Sequence, residues 1–171
     1  MNKYARSIEL LNKAVGMEIS TVLQYIYFFE RCQDRGYELL AKFFRNTAIQ
    51  EMQHIDKLSE RILFLEGDID MTPAFAVKQI HDVPEMLRLS QQLEATTIDD
   101  YNAWAKECGA NADAVSHRLF EDLVKREEDH EDDFRTELDN VKTYDKHYMA
   151  LQAIGHIKDL AAQKPEDDDD E

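Results

Sequence analysis

The chain has 171 residues, which suits one domain with a core of ordinary size. Glycine and proline, with 5 and 3 residues, are far below average usage, so the composition predicts helix almost throughout and no β-sheet. A formal net charge of -16 argues against nucleic acid as a partner, because phosphate binding relies on clustered Lys and Arg. No apolar run approaches the roughly 20 residues that span a bilayer, and the start lacks a signal-peptide core, so we expect a cytoplasmic protein without a membrane partner.

Apolar residues that recur every three or four positions, together with turn signals, predict five helices. They run from about Ser7 to Asp34, from Tyr37 to Glu66 with Gly67 as the closing residue, from Val83 to about Gly109, from an N-cap at Asn111 or Asp113 to about Val141, and from about Lys146 to Ala162. The connection between the second and third helices can span about 50 Å when extended, so it can run the length of the bundle. This predicts an all-α four-helix bundle with one long crossover and a short fifth C-terminal helix.

Two Glu-x-x-His motifs stand out in this pattern. Glu51 and His54 are three residues apart in the second helix, and Glu127 and His130 repeat the spacing in the fourth. Residues three apart project from the same helical face. Two such motifs on two helices of one bundle are how a dimetal carboxylate site collects its histidines.

Two further glutamates precede the motifs at equal distances. Glu18 lies 33 residues before Glu51, and Glu94 lies 33 residues before Glu127. A shift of 76 residues superimposes these positions and also maps Tyr25 onto Tyr101. The chain is therefore predicted to consist of two similar helical hairpins, each with one glutamate, one tyrosine and one Glu-x-x-His motif.

Four carboxylates at the middle of a bundle need a partner, because their repulsion and desolvation would otherwise raise their pKa values or unfold the site. Two divalent cations are the simplest partner. By the pattern of di-iron bundles, Glu51 and Glu127 are predicted to bridge the metals, Glu18 and His54 to complete one side, and Glu94 and His130 the other. Manganese or zinc would also suit these ligands. Tyr25 and Tyr101 are predicted to be hydrogen-bond donors that orient ligand carboxylates.

The remaining periodic residues predict the core. On the first helix we expect Ile8, Leu11, Val15, Ile19, Val22, Ile26 and Phe29 to face inward, and on the fourth Val115, Leu119, Phe120, Leu123, Phe134 and Leu138. Cys32 and Cys108 match no zinc spacing and each follows its hairpin's first glutamate by about 21 Å along the helix axis. They are therefore predicted to be reduced thiols at opposite ends of the bundle, too far apart for a disulfide.

These residues carry a family resemblance. Glu18, Glu51-Met52-x-His54, the segment from Arg61 to Gly67, Glu94 and Glu127-x-x-His130 resemble a bacterioferritin over nearly the whole chain. The resemblance implies a ferritin-like fold and a ferroxidase that oxidises Fe(II) with oxygen or peroxide at an intrasubunit di-iron centre. It also implies storage of ferric mineral inside a hollow 24-subunit shell built of dimers, and hence a role in iron homeostasis and detoxification.

Met52 lies between the two ligands of its motif, but 100° per residue turns it toward the outside of the bundle. The resemblance implies that Met52 from each of two subunits is an axial haem ligand, with one haem per dimer that passes electrons from a donor into the mineral during iron release. The chain departs from the family at Asn46 and Gln50, which stand where some bacterioferritins carry the His and Asp of an additional inner-surface iron site.

Two other classes of function remain open. A peroxide-consuming di-iron protein or a 12-subunit miniferritin shares these ligand types, although the chain lacks the paired CxxC motifs of rubrerythrins and places its ligands within one subunit. A non-enzymatic bundle or shell with structural metals is the third possibility. In each case residues 1–162 are predicted to form the helical domain, and the acidic tail of residues 163–171 to be disordered.

Overall fold

The protein was analysed as a computed structural model that describes residues 2–162, with side chains as far as Ile154. Five helices follow one another, and the described residues form no strand: α1 Ala5–Asp34, α2 Glu38–Phe64, α3 Val83–Ala110, α4 Ala114–Tyr144 and α5 Lys146–Ala162. The predicted helices and the absence of a sheet are confirmed. Within this range no helix is long and apolar enough to cross a membrane. The predicted acidic tail lies outside the described residues.

The four long helices form two antiparallel hairpins that pack into one bundle. α1 packs mainly on α2, and α3 mainly on α4. α4 begins where its N-cap Asp113 accepts a hydrogen bond from the backbone N–H of Ser116 at 3.1 Å. α5 packs against α2 and α4, and the Gln152 side chain caps α2 by accepting the backbone N–H of Leu40 at 3.0 Å. The hairpins correspond under the 76-residue shift, which places the six predicted ligands at mid-bundle.

The end of α2 differs from the expectation that Gly67 supplies the turn. Glu66 takes the left-handed conformation with φ 59, and the next N–H, that of Gly67, bonds to the carbonyl of Ile62 at 3.0 Å. Glycine is needed at 67 for a different reason. A Cβ there would lie 2.7 Å from Cγ2 of Ile8, so only glycine lets the chain pass close to α1.

The crossover between α2 and α3 is fixed along one face of α1. Residues at every fourth position of α1 accept a backbone N–H from the crossover, at 2.7 to 2.9 Å: Asn12 from Asp70, the Gly16 carbonyl from Ala74, Ser20 from Phe75, and Gln24 from Lys78. Positions four apart lie on one side of a helix, so the connection follows the axis of α1. The predicted crossover is confirmed, and it makes α2 and α3 parallel.

Two apolar clusters fill the bundle on either side of its middle. One includes Phe28, Phe44 and Phe134 and contains Cys32, whereas the other, built around Leu11, Leu58 and Phe120, contains Cys108. Both cysteines are buried and free, as predicted. The polar ligands lie between the clusters, so the fold surrounds them with apolar side chains at both ends.

Two residues expected in the core face outward instead. Ile26 is 42% exposed and Val115 is 60% exposed, while Phe28 and Ser116 occupy the interior. Ile26 follows Tyr25 by 100° of helical rotation, and Tyr25 already faces the bundle axis. The periodic stripes therefore contained apolar residues of an outer surface as well as those of the core.

Candidate metal centre

Each of the four long helices contributes to one buried polar cluster. α1 and α3 supply one glutamate each, and α2 and α4 supply one Glu-x-x-His motif each. The structure brings together all six predicted ligands, none more than 5% exposed: Glu18, Glu51, His54, Glu94, Glu127 and His130. Three-residue spacing on a helix puts each glutamate and its histidine on the same inward face.

The six side chains form two overlapping sets that could each hold a metal ion. One set is Glu18, Glu51, His54 and Glu127, and the other is Glu51, Glu94, Glu127 and His130. In each set the potential ligand atoms all lie within 4.8 Å of one another. Glu51 and Glu127 belong to both sets, which is the arrangement of two bridging carboxylates between two ion positions.

The separations within the cluster fit small divalent ions. Nδ1 of His54 lies 2.8 Å from Oε2 of Glu51 and 2.9 Å from Oε1 of Glu127. Nδ1 of His130 lies 2.8 Å from the other oxygen of Glu51 and 3.4 Å from the other oxygen of Glu127. Ligands about 2.1 Å from one ion and at right angles lie about 3 Å apart. The two oxygens of each shared carboxylate therefore face two different ion positions.

The same atoms have no hydrogen-bond partner. Both carboxylate oxygens of Glu51 and Glu127 and Nδ1 of both histidines are buried and form no hydrogen bond, although they approach each other closely. An unpaired buried polar group costs about 1–3 kcal/mol. Since lone pairs from all six atoms converge, a pair of cations is the partner that fits this donor set.

Two tyrosines hold the remaining carboxylates. The Tyr25 hydroxyl on α1 donates to Oε1 of Glu94 on α3, and the Tyr101 hydroxyl on α3 donates to Oε1 of Glu18 on α1. Both rings are fully buried. Each tyrosine thus fixes one oxygen of a glutamate on the opposite hairpin and restricts the rotation of that carboxylate.

The environment of the two outer glutamates raises their pKa values. Burial raises the pKa of Glu18, and the negative charge of Glu127 raises it further. Burial also raises the pKa of Glu94 well above its ordinary value, with Glu51 as the next contribution. Both shifts show that the cluster favours added positive charge.

Burial acts on the pKa of a histidine in the opposite direction, because an imidazole is charged when it is protonated. Burial alone would lower the pKa of His54, but the carboxylates of Glu127 and Glu18 outweigh it and raise the pKa to about 12. Contact with Glu127 and Glu51 likewise overcomes burial at His130 and raises its pKa to about 10. Both shifts favour the protonated imidazole, so the carboxylates attract positive charge to the cluster.

The sequence analysis missed one contact of this cluster. Nε2 of His130 lies 2.7 Å from Oε1 of Gln50, one turn before His54 on α2. Both residues border a surface recess of about 460 Å³ between α2 and α4, which is lined by Gln50, Gln53, His54, Lys57, Arg126, Asp129, His130 and Asp133. The four-residue spacing from Gln50 to His54 could have indicated that Gln50 lies over the cluster.

Similarity to known proteins agrees with this geometry. A family model described as a ferritin-like domain matches residues 8–144. The bacterioferritin of Brucella melitensis is 35% identical over 147 residues, which cover 85% of this chain and 91% of that protein. The chain belongs to the bacterioferritin family. The Rhodobacter capsulatus bacterioferritin is 33% identical, and the match covers 78% of this chain and 83% of that protein.

A solved bacterioferritin also shares the fold. The X-ray structure of the Desulfovibrio desulfuricans bacterioferritin superimposes with a TM-score of 0.86 and 30% sequence identity, and the match covers 88% of each chain. That protein has a diiron site that was studied in different catalytic states. The predicted ferritin-like four-helix bundle with a fifth helix is confirmed.

In this member of the bacterioferritin family, Met52 lies away from the metal cluster. It is 51% exposed on the outer side of α2, as helical rotation predicts. Met52 is one of several exposed apolar side chains of the first hairpin, which also include Leu23, Ile26 and Ile49. Under the 76-residue shift the second hairpin has Asp99, Asn102, Lys125 and Glu128 at these positions, all exposed. The hairpins are alike inside and unlike outside.

Proposed function

We propose that the protein stores and detoxifies iron and that its buried cluster is a ferroxidase centre. The observation that carries this proposal is the pair of shared carboxylates, Glu51 and Glu127, whose four oxygens are buried, unpaired and divided between two sets of ligands. Membership of the bacterioferritin family supports iron as the metal.

Iron is the substrate of this centre. Two Fe(II) ions each give up one electron. Dioxygen takes both electrons with two protons and leaves as hydrogen peroxide, whereas hydrogen peroxide takes both electrons with two protons and leaves as two water molecules. The chain contributes position and charge: Glu51 and Glu127 bring two ions together, and the four carboxylates stabilise the higher charge of Fe(III). The tyrosines keep Glu18 and Glu94 oriented while this charge changes.

The test is an anaerobic Fe(II) titration of the full-length protein followed by oxygen or peroxide. A fast oxidation phase is expected to saturate near about two irons per subunit. Glu51→Ala and His130→Ala are expected to lose this phase, because each removes a ligand of the shared cluster. An unchanged fast phase in either variant contradicts the assignment.

Mineral storage requires a hollow assembly, which membership of the bacterioferritin family supports, and the proposed shell has 24 subunits built of dimers. Native mass spectrometry separates the possibilities, since each subunit has a mass of 20.0 kDa. A particle of twelve subunits would favour the miniferritin alternative. Full metal occupancy without any turnover of oxygen or peroxide would favour a non-enzymatic, structural role for the metals.

The outer face of the first hairpin is proposed to form the dimer contact and to hold haem. Met52 has its thioether exposed among the apolar side chains Leu23, Ile26 and Ile49, which fits both the macrocycle and a partner subunit. Methionine as axial ligand gives haem a raised potential suited to electron transfer. Met52→Leu is expected to abolish the low-spin haem spectrum of protein expressed with ample haem and to leave iron oxidation largely intact. A surviving Soret band refutes Met52 as the ligand.

A further inference from the structure

The imidazole of His130 has two contacts of different kinds. Nδ1 points into the ligand cluster, 2.8 Å from Oε1 of Glu51. Nε2 points away from it and lies 2.7 Å from Oε1 of Gln50, which is on α2 rather than on the helix that carries His130. The ring is therefore held between two groups of the facing helix.

This contact selects one tautomer of the ring. A metal-binding imidazole is neutral, so one nitrogen carries the lone pair and the other carries the proton. With Nδ1 facing the metal, the proton lies on Nε2, where it is donated to the amide oxygen of Gln50. A hydrogen-bonded second nitrogen fixes both the orientation and the basicity of a ligand histidine.

The second histidine lacks this support. Nδ1 of His54 faces the carboxylates in the same way, but no hydrogen bond to its Nε2 is formed by the residues that the structure describes. The position equivalent to Gln50 under the 76-residue shift is Arg126. A guanidinium has no acceptor for an imidazole N–H, and Arg126 pairs with Asp129 at 3.6 Å.

We infer that Gln50 is a positioning residue for His130 and makes the two ion positions unequal. The position at Glu94 and His130 binds divalent metal more tightly than the position at Glu18 and His54. This inference rests on the proposed di-iron centre and deepens it. Loss of a hydrogen bond behind a metal ligand typically weakens metal affinity by about 10- to 100-fold, which sets the size of the difference.

The order of filling is the direct test. Crystals of the metal-free full-length protein are soaked with about one Co(II) per subunit, and the anomalous scattering of cobalt is measured at both positions. The stronger peak is expected between Glu94 and His130. Equal peaks, or a stronger peak beside His54, overturn the inference.

Substitutions at Gln50 test whether its hydrogen bond to His130 causes the difference in metal affinity between the two positions. Anaerobic Co(II) titration, followed by visible absorption, is expected to show a tight and a weaker step in the unsubstituted protein. Gln50→Leu keeps the side-chain volume but removes the acceptor, so it is expected to weaken the tight step about 10- to 100-fold and leave the weaker step unchanged. Gln50→Glu restores an acceptor and is expected to restore the tight step. An unchanged tight step in Gln50→Leu refutes the role of Gln50.

A matched control is available in the same recess. Gln53 lines it and is exposed but has no bond to a ligand, so Gln53→Leu is expected to leave both steps unchanged. Equal weakening in Gln53→Leu would assign the effect to the recess and refute the specific contact. Nitrogen-15 NMR of zinc-loaded, histidine-labelled protein gives a separate readout, and the His130 proton is expected on Nε2. Absence of Co(II) binding at the cluster would instead contradict the di-iron centre itself.

Discussion

The Tyr25 hydroxyl on α1 donates to the carboxylate of Glu94 on α3, and the same contact recurs between Tyr101 and Glu18 with the helices exchanged. Burial raises the pKa of both phenols well above the ordinary value, and the neighbouring carboxylate raises it further. The hydroxyls therefore remain protonated donors at any physiological pH. Each holds one carboxylate oxygen and so limits the orientations of a potential ligand.

Removal of either hydroxyl is expected to weaken the centre without unfolding the bundle. Tyr25→Phe keeps the ring but frees Glu94 to rotate, so Co(II) affinity or the rate of Fe(II) oxidation is expected to fall about 10- to 100-fold. Tyr101→Phe is expected to cause a similar loss, because it frees Glu18 to rotate. The control is Tyr27→Phe, since the Tyr27 hydroxyl contacts the exposed His81 instead. Equal loss in all three variants would contradict an orienting role.

Metal binding is expected to release protons. The pKa values of His54 and His130 are raised to about 12 and about 10, so both rings carry a proton at pH 7 that a cation must displace. A pH-stat titration of metal-free protein with Zn(II) is expected to register at least about one proton per ion, with affinity falling as the pH is lowered. Binding without proton release at pH 7 would show that both imidazoles are already neutral.

Sequence alone could predict the helices and the composition of the cluster. The equal separations of Glu18 from Glu51 and of Glu94 from Glu127 are enough to predict the cluster. A helix has a fixed rise per residue, so equally spaced residues lie at equal heights along the bundle. Whether two residues on different helices are in contact depends on how each helix is rotated about its own axis and on the conformations of the side chains. The bond between Gln50 and His130 is of this kind, so the spacing from Gln50 to His54 could place Gln50 near the cluster but could not identify its partner.

The error at Ile26 has a physical cause. A stripe of apolar residues indicates a buried face only if the outer face is polar, and the outer face of the first hairpin is apolar too. The turn at Glu66 was missed for another reason. Left-handed backbone favours glycine, but a hydrogen-bonded helix end can hold another residue there when the adjacent position needs glycine for packing.

The ion pair between Arg61 and Asp113 is expected to stabilise the bundle. The guanidinium lies 2.6 Å from the carboxylate, and the two side chains are 11% and 1% exposed. Asp113→Ala leaves the Arg61 charge unpaired and removes the N-cap of α4, so we expect urea unfolding monitored by circular dichroism to show a loss of about 3 kcal/mol or more. A loss below about 1 kcal/mol would contradict the pair's importance.

The same pair predicts a pH dependence. Burial alone would raise the Asp113 pKa, but contacts with Ser116 and Arg61 together lower it below 3.8. A lowered folded-state pKa gives stability that is present above the unfolded-state pKa and lost as the pH falls through the folded-state value. Asp113→Asn keeps the cap, so its deficit is expected at pH 7 and should shrink below about pH 4. A deficit independent of pH would contradict the charge-based origin.

Gly16 is expected to be required by the crossover. A Cβ there would lie 2.9 Å from the backbone oxygen of Thr72, so Gly16→Ala must displace the chain that bonds to α1. We expect a net loss of about 1 kcal/mol, since overpacking exceeds the gain in helix propensity. Gly109→Ala is the matched control, because its Cβ would lie 3.4 Å from the His117 ring, and it is expected to be neutral or stabilising. Equal effects at both positions would refute the close-approach explanation.

The shared carboxylates have a consequence for how the two halves of the chain can vary. Glu51 comes from the first hairpin and Glu127 from the second, and each belongs to both sets of potential ligands. Loss of either motif therefore damages the pair as a whole and leaves no intact single-ion site in the other half. This constraint does not apply to the surface, where Met52 of the first hairpin corresponds to Glu128 of the second. The two hairpins must therefore keep the same interior residues, whereas the outer surface of each can change to contact a different partner.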